Sequence, residues 1–304
     1  MTLAASFKSH PTAWPICVLA GAMVSVQCGA ALVKELFPAV GVAGATALRL
    51  TLASLMLVIV WRPWRLRPTA REMRSILIYG SAMGVMNLLF YSSLRRIPLG
   101  IAVALEFTGP LAVAIATSRR AVDFLWIMLA AAGIAALLPP GIAPLGIEPL
   151  GSEARALPPA GIAFALGAGV CWALYIVFGQ KAGAAHGGAS VALGTLVGAA
   201  IIAPIGVAQA GAALLSPAVL PAACGVALLS SALPYSLEMY ALTRLPARMF
   251  GVLMSAQPAL GALSGLGFLG ERLTAIQWAA IASIMVASGG SAATSGPALP
   301  PLKD

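Results

Sequence analysis

Pro98-Leu-Gly-Ile-Ala-Val-Ala-Leu-Glu106-Phe-Thr-Gly109-Pro110-Leu-Ala-Val-Ala-Ile115 is apolar enough to cross a bilayer, yet it carries a carboxylate near its middle. Pro98 suits the first turn of a helix, where a missing N–H is no loss. Pro110 lies inside, so it cannot donate to the carbonyl four residues back, which belongs to Glu106. One turn therefore holds a carboxylate and a freed backbone acceptor, beside the permissive Gly109. Hydrocarbon tolerates neither group, so this face is expected to look into protein or a water-filled cavity. An acid at mid-membrane costs roughly 2.5–3.5 kcal/mol on insertion scales and is by default a functional-site candidate. The plainer alternative is a packing role, with Glu106 paired to Arg49.

The rest of the chain has the same character. Of 304 residues 60% are hydrophobic and 9% charged, and the mean hydropathy is +0.96. A soluble domain carries about 25% charged residues. Long continuous apolar runs, without ten-residue alternation, specify an all-α membrane protein and exclude a β-barrel. The net charge of +9 would suggest nucleic acid in a soluble chain. Here the bases lie between apolar runs, so topology explains them and no nucleic-acid partner is expected. Cys17, Cys28, Cys171 and Cys224 fall within apolar segments and read as small buried hydrophobes. His10 and His186 lie outside the spans, and no HExxH, Cys/His cluster or GxxxxGK[ST] occurs, so neither metal, cofactor nor ATP chemistry is expected.

Ten spans are expected, at 14–33, 42–61, 75–94, 98–117, 121–139, 159–180, 188–209, 217–240, 246–268 and 272–290. Residues 1–13 form a cytoplasmic N-terminus. The Pro/Gly-rich stretch 140–158 reads as a linker between a first unit, 14–139, and a second, 159–290. The tail 291–304 reads as disordered. Arg62, Arg65, Arg67, Arg71 and Arg74 between spans 2 and 3 place that loop in the cytoplasm. The same side then collects Lys8, Arg119, Arg120, Lys181, Arg244, Arg248 and Lys303; the other holds Lys34, Arg95, Arg96, Arg155 and Arg272. This bias gives both termini inside. Arg95 and Arg96, on the outer side, could instead hydrate a vestibule.

The two units echo each other. Arg96-Ile-Pro98 recurs as Arg244-Leu-Pro246, Pro110 as Pro258 and Asp123 as Glu271, each 148 residues on (246 − 98, 258 − 110, 271 − 123). Lys34 and Lys181, 147 apart (181 − 34), each end the first span of a unit. Five spans is an odd number, so the second unit enters the membrane from the opposite face. Such inverted repeats build many secondary transporters, with a site at the repeat interface near mid-bilayer.

Glu106 leads the candidate site residues: ionised, it would hold a substrate ammonium, and protonated, it could exchange a proton for one. Arg49, about seven residues into span 2, could hold a carboxylate through its fork. Equally, it could neutralise Glu106 or cap freed carbonyls. Asn87 and Tyr91 share a face of span 3 with Met83. They and Gln27 on span 1 could line a cavity or cross-link helices. Trp172 and Tyr175, three apart on span 6, suit packing or a gate. In span 8, Pro234 frees the carbonyl of Ser230 beside Tyr235, and Glu238 follows, either paired with Arg244 or Arg248 at the surface or facing inward as a second acid. Gln257-Pro258 is the pseudo-symmetric partner of Gly109-Pro110. Lys34 and Lys181 read as snorkelling span-end lysines.

Four stretches carry a family likeness: Gly44-Ala-Thr-Ala-Leu-Arg-Leu-Thr-Leu52, Leu105-Glu-Phe-Thr-Gly-Pro110, Leu166-Gly-Ala-Gly-Val-Cys-Trp-Ala-Leu-Tyr175, and Leu233-Pro-Tyr-Ser-Leu-Glu238 running on to Gly270-Glu-Arg-Leu-Thr274. Through them the chain resembles the ten-helix drug/metabolite transporter superfamily, built from two EamA-type repeats, and within it the bacterial exporters of threonine and homoserine. The resemblance covers about 14–290. It implies a non-enzymatic exporter of small neutral amino acids in the bacterial inner membrane, exchanging substrate for protons at a cavity between the halves. It carries the site to Glu106. The repeat family often has an acid before the span-9 proline, where this chain has Gln257. An exporter of aromatic amino acids or cationic drugs on the same fold is the alternative.

Overall fold

The helix around Glu106 is broken. In the computed structural model, which describes residues 13–116, 122–137, 157–242, 244–245 and 247–294, α4 (Leu99–Glu106) ends at the acid and α5 (Thr108–Ala116) begins two residues later. Pro98 is the N-cap of α4. The expected N-terminal arm and linker fall almost wholly outside the described residues, as do residues 295–304 of the tail and Arg119, Arg120, Thr243 and Pro246.

Among the described residues every regular element is helical. Ahead of the break lie α1 (Ala13–Val33), α2 (Phe37–Trp61) and α3 (Ala70–Leu94); α6 (Val122–Leu137) follows it. Then come α7 (Pro159–His186), α8 (Gly188–Ala210), α9 (Leu220–Ala227), α10 (Leu233–Leu242), α11 (Ala247–Met254), α12 (Gln257–Leu269) and α13 (Ala275–Thr294). Seven helical stretches are long and apolar enough to cross a membrane, with two shorter apolar ones, Leu99–Val113 and Val122–Leu137. The longest stretch, Ala13–Trp61, is not one rod. A tighter turn at Lys34–Leu36 divides it into α1 and α2, and non-helical Gly41, at φ 67°, kinks α2 within its first turns.

Several boundaries differ from the sequence reading. α3 starts at Ala70 because Thr69 and Glu72 form a reciprocal capping box. α7 runs on to His186 and α13 to Thr294. Helices α9 and α10 are joined by a widened turn, Leu228–Ala232, in which Leu233 N donates to Leu228 O, five residues back. The cysteines are not buried as expected: Cys17 is exposed and the other three half-buried. Large apolar side chains also point outward, with Ile59 70% and Phe124 67% exposed, as a lipid-facing surface requires.

The helices pack in cross-chain pairs. The most extensive contacts join α2 to α8 and α3 to α7, followed by α6 to α13, α3 to α8, α1 to α10 and α4 to α12. Small residues permit the close approaches. A Cβ on Gly100 would lie 2.6 Å from Ala262 Cα, and one on Gly80 2.5 Å from Gly194 O.

Candidate substrate cavity

A cavity of about 730 Å³ lies between the first and second halves of the chain, walled by side chains from α1, α2, α3, α4, α5, α7, α8, α10, α11, α12 and α13. All ten sequence-predicted residues line it: Gln27, Arg49, Asn87, Tyr91, Glu106, Trp172, Tyr175, Tyr235, Glu238 and Gln257. It reaches the bundle end where α7 meets α8, at exposed Gln180 and half-buried Gly187. Towards the other end it stops at the level of Ala30, Val103 and Gln257.

Glu106 sits at the helix break, 8% exposed. Its carboxylate is not within ion-pair distance of Arg49. Its freed carbonyl lies against α7 at Gly169, where a Cβ would come within 2.9 Å of it. Gly109 meets the same helix more tightly still: a Cβ there would be 1.9 Å from Gly169 O. The α4–α5 break thus docks backbone to backbone on α7, and only glycine fits at both positions. Thr108 Oγ1 donates to Leu105 O at 2.7 Å, meeting one more carbonyl at the break.

Arg49, on α2, is spent largely on structure. Pro234 deprives Ser230 O of its helical donor, and Arg49 Nη2 supplies one at 2.8 Å. Nε donates to Ser230 Oγ at 2.7 Å, and Nη1 to Asn87 Oδ1. Asn87 is itself fixed by donating through Nδ2 to Met83 O at 2.8 Å. The widened turn shifts the register by one, which leaves Leu229 O also without Pro234 as donor; Ser25 Oγ fills that place at 2.6 Å. The guanidinium carbon lies 5.3 Å from the Tyr91 ring centroid. Three elements are thereby tied to one cation, which remains on the cavity wall.

Gln27 Nε2 donates to Gln257 Oε1 at 2.5 Å, joining α1 to the start of α12. Tyr91 is 1% exposed, and its hydroxyl has no hydrogen-bond partner among the described residues. Trp172 meets Phe107 edge-on at 4.8 Å. Tyr175 lies against Tyr79, centroids 4.7 Å apart. Glu238 faces inward on the cavity, while Arg244 lies over the Tyr240 ring at 3.7 Å. Sequence reasoning passed over Tyr79, although Tyr79, Met83, Asn87 and Tyr91 are spaced by four along one helix row. It also left out Phe107 and Gln180, for which no spacing gives a signal. Arg95 lines a separate pocket of about 470 Å³ with Phe37, Gly41 and Gln209, beyond the closed end of the cavity.

Comparison with known proteins decides the family. Over 289 residues the chain is 53% identical to the threonine/homoserine exporter RhtA of Escherichia coli (strain K12), covering 95% of each chain. The protein of the same name from Salmonella typhimurium (strain LT2) is 54% identical over the same share. The EamA-like transporter family matches residues 159–291. The chain belongs to the EamA-like transporter family. Membership bears out the expectation of a carrier and not an enzyme. One solved crystal structure shares the fold at a TM-score of 0.58 and 19% identity, over 92% of this chain and 96% of that one. Like its family, the chain is a membrane protein in which the Glu106 break and the Arg49 network share one cavity.

Proposed function

We propose that this protein exports threonine and homoserine across the bacterial inner membrane, exchanging them for protons at Glu106. The observation that carries the reading is a buried carboxylate, free of any ion pair to Arg49, on the wall of a cavity between the halves. The naming of relatives at 53–54% identity as threonine/homoserine exporters supports the substrate. The substrate ammonium meets Glu106. Its carboxylate meets the donors of Arg49 left over from Ser230 and Asn87 or a backbone N–H at the breaks. When substrate leaves, Glu106 takes a proton from the outer side and carries it in.

The architecture we infer is ten spans in two inverted repeats, 14–139 and 159–290, with both termini in the cytoplasm. The helix packing supports it. Exchanging each span for the one five further on carries α3–α7 onto α10–α1, and α3–α8 onto α2–α9. It leaves α2–α8, α4–α12 and α6–α13 on themselves. The two broken spans match as well: the breaks at Phe107 and at Ser255-Ala256 each precede a repeat-related proline. The exposed arginines Arg62, Arg65 and Arg67 support the orientation.

A second reading, export of larger aromatic or cationic compounds, draws on the aromatic lining and on a volume within the drug-sized range. Counterflow separates the two. Proteoliposomes preloaded with threonine should accumulate labelled threonine and homoserine, while ethidium neither enters nor competes. Ethidium counterflow without threonine counterflow would overturn the proposal and leave the fold intact.

A further inference from the structure

The cavity is closed at one end, and near that end a single carboxylate joins three elements. Glu271 follows α12 directly, just past Gly270, whose left-handed backbone (φ 64°) ends the helix. Its Oε1 lies 2.5 Å from Lys34 Nζ, at the end of α1. Its Oε2 accepts from Leu99 N, the first N–H of α4, at 2.8 Å. Both side chains are largely shielded, at 20% and 15% exposed. The carboxylate folds back onto α12 where a Cβ on Gly265 would come within 2.4 Å of Oε2, so only glycine leaves it room. One acid therefore binds an ammonium and caps a helix N-terminus, which favours negative charge.

The three elements it joins are those that carry Gln27, Glu106 and Gln257 to the cavity. Below it, Val33, Leu36, Leu99, Ile101, Ala262 and Ile281 are all at most 5% exposed. None of these six lines the cavity, whose mouth is at the opposite end of the bundle. The closed end of the cavity is lined by Ala30, Val103 and Gln257, one from each of the three helices that Glu271 joins, together with Tyr91 of α3.

We infer that Lys34, Glu271 and the N-terminus of α4 form a latch that seals the far side of the cavity and must part once in each transport cycle. The inference rests on the transporter reading above and adds two residues outside the cavity to it. A closed state held by such contacts is one of two populations, and removing the contacts shifts the balance towards the other. Lys34→Met removes the ion pair and leaves the Leu99 cap. Glu271→Gln weakens both. The double exchange Lys34→Glu with Glu271→Lys restores the pair alone.

The test places a reporter, Ala30→Cys, in a background with the four native cysteines replaced, and applies a membrane-impermeant maleimide to right-side-out and to inverted vesicles. The parent should label from the mouth side alone. Lys34→Met and Glu271→Gln should raise labelling from the latch side by roughly five-fold or more, the change expected for loss of about 1 kcal/mol of bias, and the double exchange should lower it again. Variants with unchanged unfolding temperature and labelling like the parent's from both sides would overturn the latch. Because labelling needs no substrate, this result is independent of threonine counterflow, so either claim can fail alone. Should Glu271→Gln not fold, Lys34→Met decides by itself.

Discussion

Arg49 shows how one residue can answer a problem set by another. Pro234 creates an acceptor that no helix can satisfy, and the guanidinium fork reaches it along with Ser230 Oγ and Asn87. A lysine has a point charge where the fork is needed. Leaving one buried polar group unpaired costs about 1–3 kcal/mol. Arg49→Met should therefore lower stability by about 3 kcal/mol, read as a lower unfolding temperature in detergent, with Arg49→Lys in between. A transport defect in Arg49→Met with unchanged stability would instead make Arg49 chiefly a substrate ligand. The sequence placed Arg49 beside both roles without choosing. The choice depends on which helix faces which, and span 2 and span 8 lie 181 residues apart at Arg49 and Ser230.

At the scale of elements, the prolines were the most legible signal. Pro110 and Pro234 each mark an observed departure from regular helix, and the expected freed carbonyls at Glu106 and Ser230 are where α7 and Arg49 engage the chain. The widened turn at Leu228–Ala232 was not legible: no local motif marks it, and the donor that meets Leu229 O, Ser25, is 204 residues away. The start of α3 was missed, since counting apolar residues put the span at 75–94 and passed over the capping pair Thr69 and Glu72. The latch was not legible either: Lys34 and Glu271 are 237 residues apart, and each alone reads as a span-end charge. Gly169→Ala puts a methyl group within 2.9 Å of Glu106 O and 3.1 Å of Thr108 Oγ1. It should push the break off α7 and cut threonine counterflow by about ten-fold or more, as small misplacements of a reacting group do. Gly183→Ala, with open space around it, should transport like the parent. Equal activity in both would mean that the break tolerates displacement.

For the whole molecule, apolar patterning gave the membrane class, and spacing gave the paired breaks. All ten candidate residues meet in one cavity because the inward face of each span is where a bilayer allows polar groups. The proposed inverted repeat makes a topological prediction. A cysteine at Arg65 should react with an impermeant reagent only in inverted vesicles, and one at Arg95 only in right-side-out ones. The reverse pattern would turn the molecule over and make the cavity mouth face outward.

The most direct measurement is threonine/proton exchange in proteoliposomes, parent against Glu106→Gln, with threonine-dependent thermal stabilisation followed on the same preparations. The parent should move threonine against its gradient when a proton gradient is imposed. Glu106→Gln should fold, lose most stabilisation by threonine and show no proton-driven exchange. A folded Glu106→Gln that exchanges threonine for protons at the parental rate would make the mid-membrane acid structural and contradict the mechanism.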